Sequence, residues 1–259
     1  MKPFFFGSSA NPLYGVYHPP DGNLTRKEGV LLLSAFGQEY MRAHRAYRQL
    51  ANLLNKKGFP VLRFDYRGTG DSAGELEDIV LDDWRADIDA AAEELRHTAQ
   101  VQSVSVVGLR LGALMGAWAS EKVDIDRLCL WDPVISGTCY EEELIAILGT
   151  EGPSETNHID DKGTLHYNGF PLYQPFREAL KRIDLRSEYP VANQILHVSS
   201  KNNTYDKALA DVWQNQENYT YQYIDVPGNW TFVDEFGGIL LPQPIIKFIV
   251  DWFSKESSE

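Results

Sequence analysis

The chain has 259 residues, 43% of them hydrophobic, and its 24 lysines and arginines face 37 aspartates and glutamates for a formal net charge of -13. That length suits one sizeable α/β domain, residues 1–259, with its own core rather than two full domains. The acidic balance disfavours nucleic-acid backbones and anionic membrane surfaces as partners. No apolar run approaches the roughly 20 residues that span a bilayer. The opening Met1-Lys2-Pro3-Phe4-Phe5-Phe6-Gly7 lacks the long apolar region and cleavage site of a secretory signal. Two cysteines, Cys129 and Cys139, make neither a metal motif nor a disulfide framework. A reduced, cytoplasmic location is expected, with no cofactor and no metal.

In chain order, residues 4–6 and 13–17 read as an antiparallel pair around the turn Ser8-Ser9-Ala10-Asn11-Pro12. The unbroken apolar run 29–34 suits a strand buried on both faces. Ala43, Tyr47, Leu50 and Leu54 recur at helical spacing, and Gly58 closes that helix. Residues 61–65 form the next strand. Trp84, Ile88, Ala91 and Leu95 mark a second amphipathic helix, with Asp82 and Asp83 at its favourable N-terminal end. Residues 103–107 and 128–131 are strands, the latter ending at Asp132-Pro133. From about 136 to 190 the alternation lapses, with helices over 141–148 and 176–183 around a polar, Gly-rich stretch 149–169. A lid is expected there. Strands resume at 194–198 and 221–224, and Pro244 starts a last helix carrying Ile245, Ile249, Trp252 and Phe253. Strands alternating with helices imply a mainly parallel sheet covered on both faces.

Two segments carry more than periodicity. Phe64-Asp65-Tyr66-Arg67-Gly68-Thr69-Gly70-Asp71-Ser72 is a loop directly after a strand, with glycines that permit tight turns. Val106-Val107-Gly108-Leu109-Arg110-Leu111-Gly112-Ala113 is a strand entering a helix through a G-x-x-x-G turn, where small residues allow a sharp corner. Together they resemble the α/β-hydrolase superfamily. With Tyr14-Gly15-Val16-Tyr17-His18-Pro19-Pro20, Phe36-Gly37-Gln38-Glu39-Tyr40-Met41-Arg42 and Trp131-Asp132-Pro133-Val134, the chain is similar to its bacterial serine aminopeptidase S33-like branch. That branch includes hydrolase-like proteins associated with exosortase polysaccharide systems, some with arginine at the elbow. The resemblance implies an α/β-hydrolase fold: a mostly parallel eight-stranded sheet flanked by helices, with a lid insertion.

It also implies a broken catalytic triad. Arg110 stands where the family has its nucleophilic serine, and a guanidinium stays protonated and is no nucleophile. The acid region offers Asn202 and Asn203, with Asp132 as either a substitute acid or a structural cap. The base region reads Val226-Pro227-Gly228-Asn229-Trp230, and no histidine follows His197. His197 reads as a core residue. His44 begins a helix near the site. No catalytic residue is therefore assigned. The candidate ligand site is Arg110, Leu111, Phe36, Gly37, Glu39, Asp132 and Trp230.

A helix N-terminus and a full positive charge suit an anion. Equally, Arg110 can be neutralised internally, by Glu39 first and Asp132 second, in a bidentate pair that plugs the corner. Three readings follow. The first is a non-catalytic binder of an anionic or acyl small molecule. The second is a protein that binds a partner enzyme through its lid. The third is an unorthodox hydrolase or acyltransferase acting on an ester, thioester or peptide through Ser34, His44 or Asp132.

Overall fold

The computed structural model describes residues 1–21, 24–151, 154–226, 230 and 241–255. Its main sheet has eight strands: β1 (Lys2–Gly7), β2 (Pro12–His18), β3 (Glu28–Leu33), β4 (Val61–Phe64), β5 (Ser103–Leu109), β6 (Arg127–Trp131), β10 (Gln194–Ser199) and β11 (Tyr219–Tyr223). Their order is β1-β2-β4-β3-β5-β6-β10-β11. The β1–β2 and β2–β4 pairs are antiparallel and every later pair is parallel.

Helices α1 (Gly37–Lys56), α2 (Leu81–Ala99), α3 (Leu111–Ala119) and α6 (Thr204–Trp213) lie between successive strands of this sheet, and α7 (Gln243–Ser254) follows β11. Successive strand residues point to opposite faces. Along β3, Leu31 and Leu33 pack with Trp84 and Ile88 of α2, while Val30 and Leu32 pack with Leu50 of α1 and Ile249 of α7. All four β3 residues are fully buried. A sheet covered on both faces is what turns a strand into an unbroken apolar run.

Between β6 and β10 the chain forms α4 (Gly137–Glu151), α5 (Gln174–Leu180) and a separate three-stranded sheet. That sheet contains β7 (His158–Ile159), β8 (Leu165–Tyr167) and β9 (Phe170–Leu172). The stretch 149–169, read above only as polar and Gly-rich, holds two of these strands. Strands of two or three residues are too short to show a period. Helix α6 is likewise an element that the sequence pattern did not announce.

The corner between β5 and α3 depends on missing side chains. A Cβ on Gly108 would lie 2.4 Å from the Gly112 carbonyl oxygen, and one on Gly112 would lie 2.3 Å from the Leu33 carbonyl oxygen. Both neighbours are backbone atoms that cannot swing aside. Gly112→Ala is expected to destabilise the fold by at least about 1–3 kcal/mol, the usual range for overpacking. A urea denaturation midpoint unchanged from the parent would contradict this.

Candidate functional site

Arg110 is the single residue between β5 and α3, held at φ 54 and ψ -120. An L-residue there carries strain of about 1–3 kcal/mol that surrounding contacts must offset. Those contacts are backbone hydrogen bonds. The Arg110 N–H donates to the Trp131 carbonyl at 3.1 Å, and its carbonyl accepts from the N–H groups of Ala113, Leu114 and Val134 at 3.0, 3.3 and 3.2 Å.

The side chain turns inward, with 9% of its surface exposed. Nε donates to Glu39 Oε1 at 2.7 Å, and Nη2 donates to Glu143 Oε2 at 2.5 Å. The other Glu39 oxygen accepts from the Tyr140 hydroxyl at 3.2 Å. Glu39 sits on the first turn of α1 and is fully buried, whereas Glu143 comes from α4 and is 36% exposed. Burial pushes the Glu39 carboxyl above its usual range, and Arg110 pulls it back. Burial by itself would ease deprotonation of Arg110, but Glu39 and Glu143 outweigh it and hold the guanidinium firmly cationic. One cation thus faces two carboxylates.

The expected bidentate pair with one carboxylate is instead a fork shared between two. The expected second partner, Asp132, is elsewhere engaged. Its buried carboxylate accepts from the Ser200 N–H at 2.5 Å, the Ser200 hydroxyl at 2.8 Å and the Trp230 indole N–H at 2.7 Å. Burial raises its pKa, and these three donors oppose the rise. Asp132 is itself in a left-handed conformation at φ 43. The loops after β6 and β10 and Trp230 therefore meet at one carboxylate.

In the acid region, Asn202 is exposed. Asn203 caps α6, its side-chain oxygen accepting from the Asp206 N–H at 2.8 Å. Asn is a favoured N-cap because it satisfies such an orphan donor. Asp206, not singled out from the sequence, is buried and accepts from the Ser199 hydroxyl at 2.6 Å. His197 is fully buried in β10, with Nδ1 2.9 Å from the Tyr219 hydroxyl and Nε2 3.4 Å from Asp206. His44 is exposed on α1, and burial, then Arg63, lowers its pKa. Asn229 lies outside the described residues.

The proposed ligand residues do not share one cavity. Arg110 lines a cavity of about 500 Å³ with Val134, Cys139, Tyr140, Glu143 and Lys201. Phe36 and Gly37 line another, of about 550 Å³, with Ser34, Tyr66, Trp84 and Phe170. Leu111, Glu39, Asp132 and Trp230 are buried and line neither. Glu143 escaped the sequence reading. It belongs to the run Glu141-Glu142-Glu143 on a helix, where nothing local says which carboxylate turns toward the core. Among the described residues no three His, Cys, Asp or Glu side chains converge to hold a metal ion.

A mostly parallel eight-stranded sheet, helices on both faces and a strained strand–turn–helix corner define an α/β-hydrolase fold. The sequence pattern of the family described as Serine aminopeptidase, S33 matches residues 30–147, just under half of the chain. Solved structures agree on the fold. The chain is similar to Est1E from Butyrivibrio proteoclasticus, solved with ferulic acid bound, at 17% identity and a TM-score of 0.67, covering 97% of this chain and 100% of that one. It is similar to alpha/beta hydrolase domain-containing protein 10 from mouse at 14% identity and a TM-score of 0.62, covering 99% and 100%. It is also similar to a serine hydrolase without lid from Xanthomonas campestris, at 15% identity and a TM-score of 0.57, covering 89% and 86%. No curated protein matches the chain. No helix among the described residues is long and apolar enough to cross a membrane.

Proposed function

We propose that this chain is a non-catalytic α/β-hydrolase-fold protein that binds a small acyl compound. In this reading Arg110 occupies the nucleophile position and Trp230 the base position. The supporting observation is the pair of contacts at those positions: Arg110 locked between Glu39 and Glu143, and the Trp230 indole donating to Asp132. An indole N–H donates and has no lone pair to take a proton, so it serves as a hydrogen-bonding stand-in for imidazole without its chemistry.

The same geometry favours an acyl body over an anion at Arg110. Two carboxylates already surround the guanidinium, and a third negative group would have to displace Glu143. The aromatic-lined cavity of about 550 Å³ is the place for an apolar chain. Residues 136–190 act as a cap on a single domain, with Phe170 and Tyr173 forming part of that cavity's wall. A bacterial cytoplasm suits the two free cysteines, and the exosortase-associated branch remains the pathway context suggested by the elbow.

The test is labelling with a fluorophosphonate probe, read by intact-protein mass spectrometry. We expect no adduct on the native chain under conditions that fully label a serine esterase. A stoichiometric adduct on any serine would end the non-catalytic reading.

A further inference from the structure

The cavity of about 550 Å³ carries a charge pattern that says what enters it. Four carboxylates line it, those of Asp65, Glu75, Glu77 and Asp78, and no Lys, Arg or His among the described residues does. None of the four forms an ion pair among the described residues. Arg63, whose charge acts on Asp65, lines a neighbouring cavity of about 310 Å³ that shares Ser34, Tyr40 and Asp65 with this one. Glu75, Glu77 and Asp78 are exposed at and around the short 3-10 turn Leu76–Asp78, while Asp65 is half-buried and accepts from the Tyr40 hydroxyl at 2.9 Å.

The apolar wall is aromatic. Phe36, Tyr40, Tyr66, Trp84, Phe170 and Tyr173 all line the cavity. Trp84 stacks on Tyr66 with ring centroids 4.4 Å apart and approaches Phe36 at 6.0 Å. Tyr66 is 3% exposed, and its hydroxyl has no hydrogen-bond partner among the described residues.

We propose that this cavity binds an organic cation: a compound with a hydrocarbon or acyl body and a primary ammonium group. Aromatic rings attract such a cation through their quadrupoles, and carboxylates outside any ion pair add Coulombic attraction. The hydrocarbon body covers the aromatic wall, and the ammonium N–H groups meet carboxylate oxygens. A net charge of -13 steers cations toward the protein as a whole. The inference rests on reading this cavity as the ligand site and does not depend on whether catalysis has been lost.

The experiment is isothermal titration at physiological ionic strength with three probes of one chain length: hexylamine in its ammonium form, hexanol and hexanoate. Hexylammonium should bind about tenfold tighter than hexanol, and hexanoate weakest. The variant Glu75→Gln/Glu77→Gln/Asp78→Asn changes exposed residues and should weaken hexylammonium by about tenfold while leaving hexanol unchanged. A control with the same charge change at carboxylates that do not line the cavity, Glu121→Gln/Asp211→Asn/Glu217→Gln, should have little effect. Equal binding of all three probes, or an equal loss in the control, overturns the cationic ligand but leaves the acyl-binding cavity standing. No binding by any probe overturns both.

Discussion

Replacing Arg110 with alanine will destabilise the fold by about 3–5 kcal/mol, the range for breaking one side of a buried ion pair. The variant leaves Glu39, fully buried, with the Tyr140 hydroxyl as its one remaining side-chain hydrogen-bond partner among the described residues. Burial already raises the pKa of Glu39 in the parent, and loss of the guanidinium removes the group that pulls it down. A folded pKa above the unfolded one stabilises most below the unfolded value and loses that contribution as pH rises through the folded value. The deficit of Arg110→Ala should therefore be smaller near pH 5 than near pH 8, as measured by thermal or urea denaturation at both. Arg110→Gly should be less harmful than alanine, because glycine relieves about 1–3 kcal/mol of strain at φ 54 and ψ -120. If Arg110→Ala melts with the parent at both pH values, the internal ion pair does not hold this corner.

Serine at position 110 will not by itself make an esterase. The Arg110→Ser variant gains a hydroxyl on a correctly strained turn but no group to take its proton. Arg110→Ser/Trp230→His supplies both, since Trp230 already places a ring N–H 2.7 Å from Asp132 Oδ2. An imidazole there would hold the same hydrogen bond and present its second nitrogen as a base. General-base catalysis typically contributes about 10²–10⁴-fold. We expect the double variant to hydrolyse p-nitrophenyl acetate at least about tenfold faster than either single variant, with inhibition by a serine-directed reagent. Equal rates for the double variant and Arg110→Ser would show that Trp230 does not stand at the base position.

Much of the fold was legible because its elements are long or fully buried. The run 29–34 reads as a central strand because both sheet faces are covered there. Trp84, Ile88, Ala91 and Leu95 show the helical period because α2 buries one face. The corner was legible from Gly108 and Gly112, whose Cβ positions are occupied by neighbouring backbone. Glu39 was legible as a partner of Arg110 because the loop after β3 must pass the start of α3. Glu143 was not, since its approach depends on how α4 docks, a tertiary matter with no local signature. Asn203 drew notice only as a residue of the acid region, yet its spacing to Asp206 also fits a helix cap, and that is the bond it makes. The division into two cavities was invisible, because the tilt of the inserted segment decides it and not the order of residues.

The conformation of Arg110 has a consequence for how such a chain changes over generations. The turn is imposed from outside, by a hydrogen bond to the Trp131 carbonyl, another from the Val134 N–H and glycines with no room to grow. Its strain is a property of the frame and survives whichever side chain is mounted there. Exchanging one side chain for another at this position therefore leaves the corner bent. Variation at position 110 is channelled instead into what the side chain can reach. Here that side chain is a cation that ties α1 to α4.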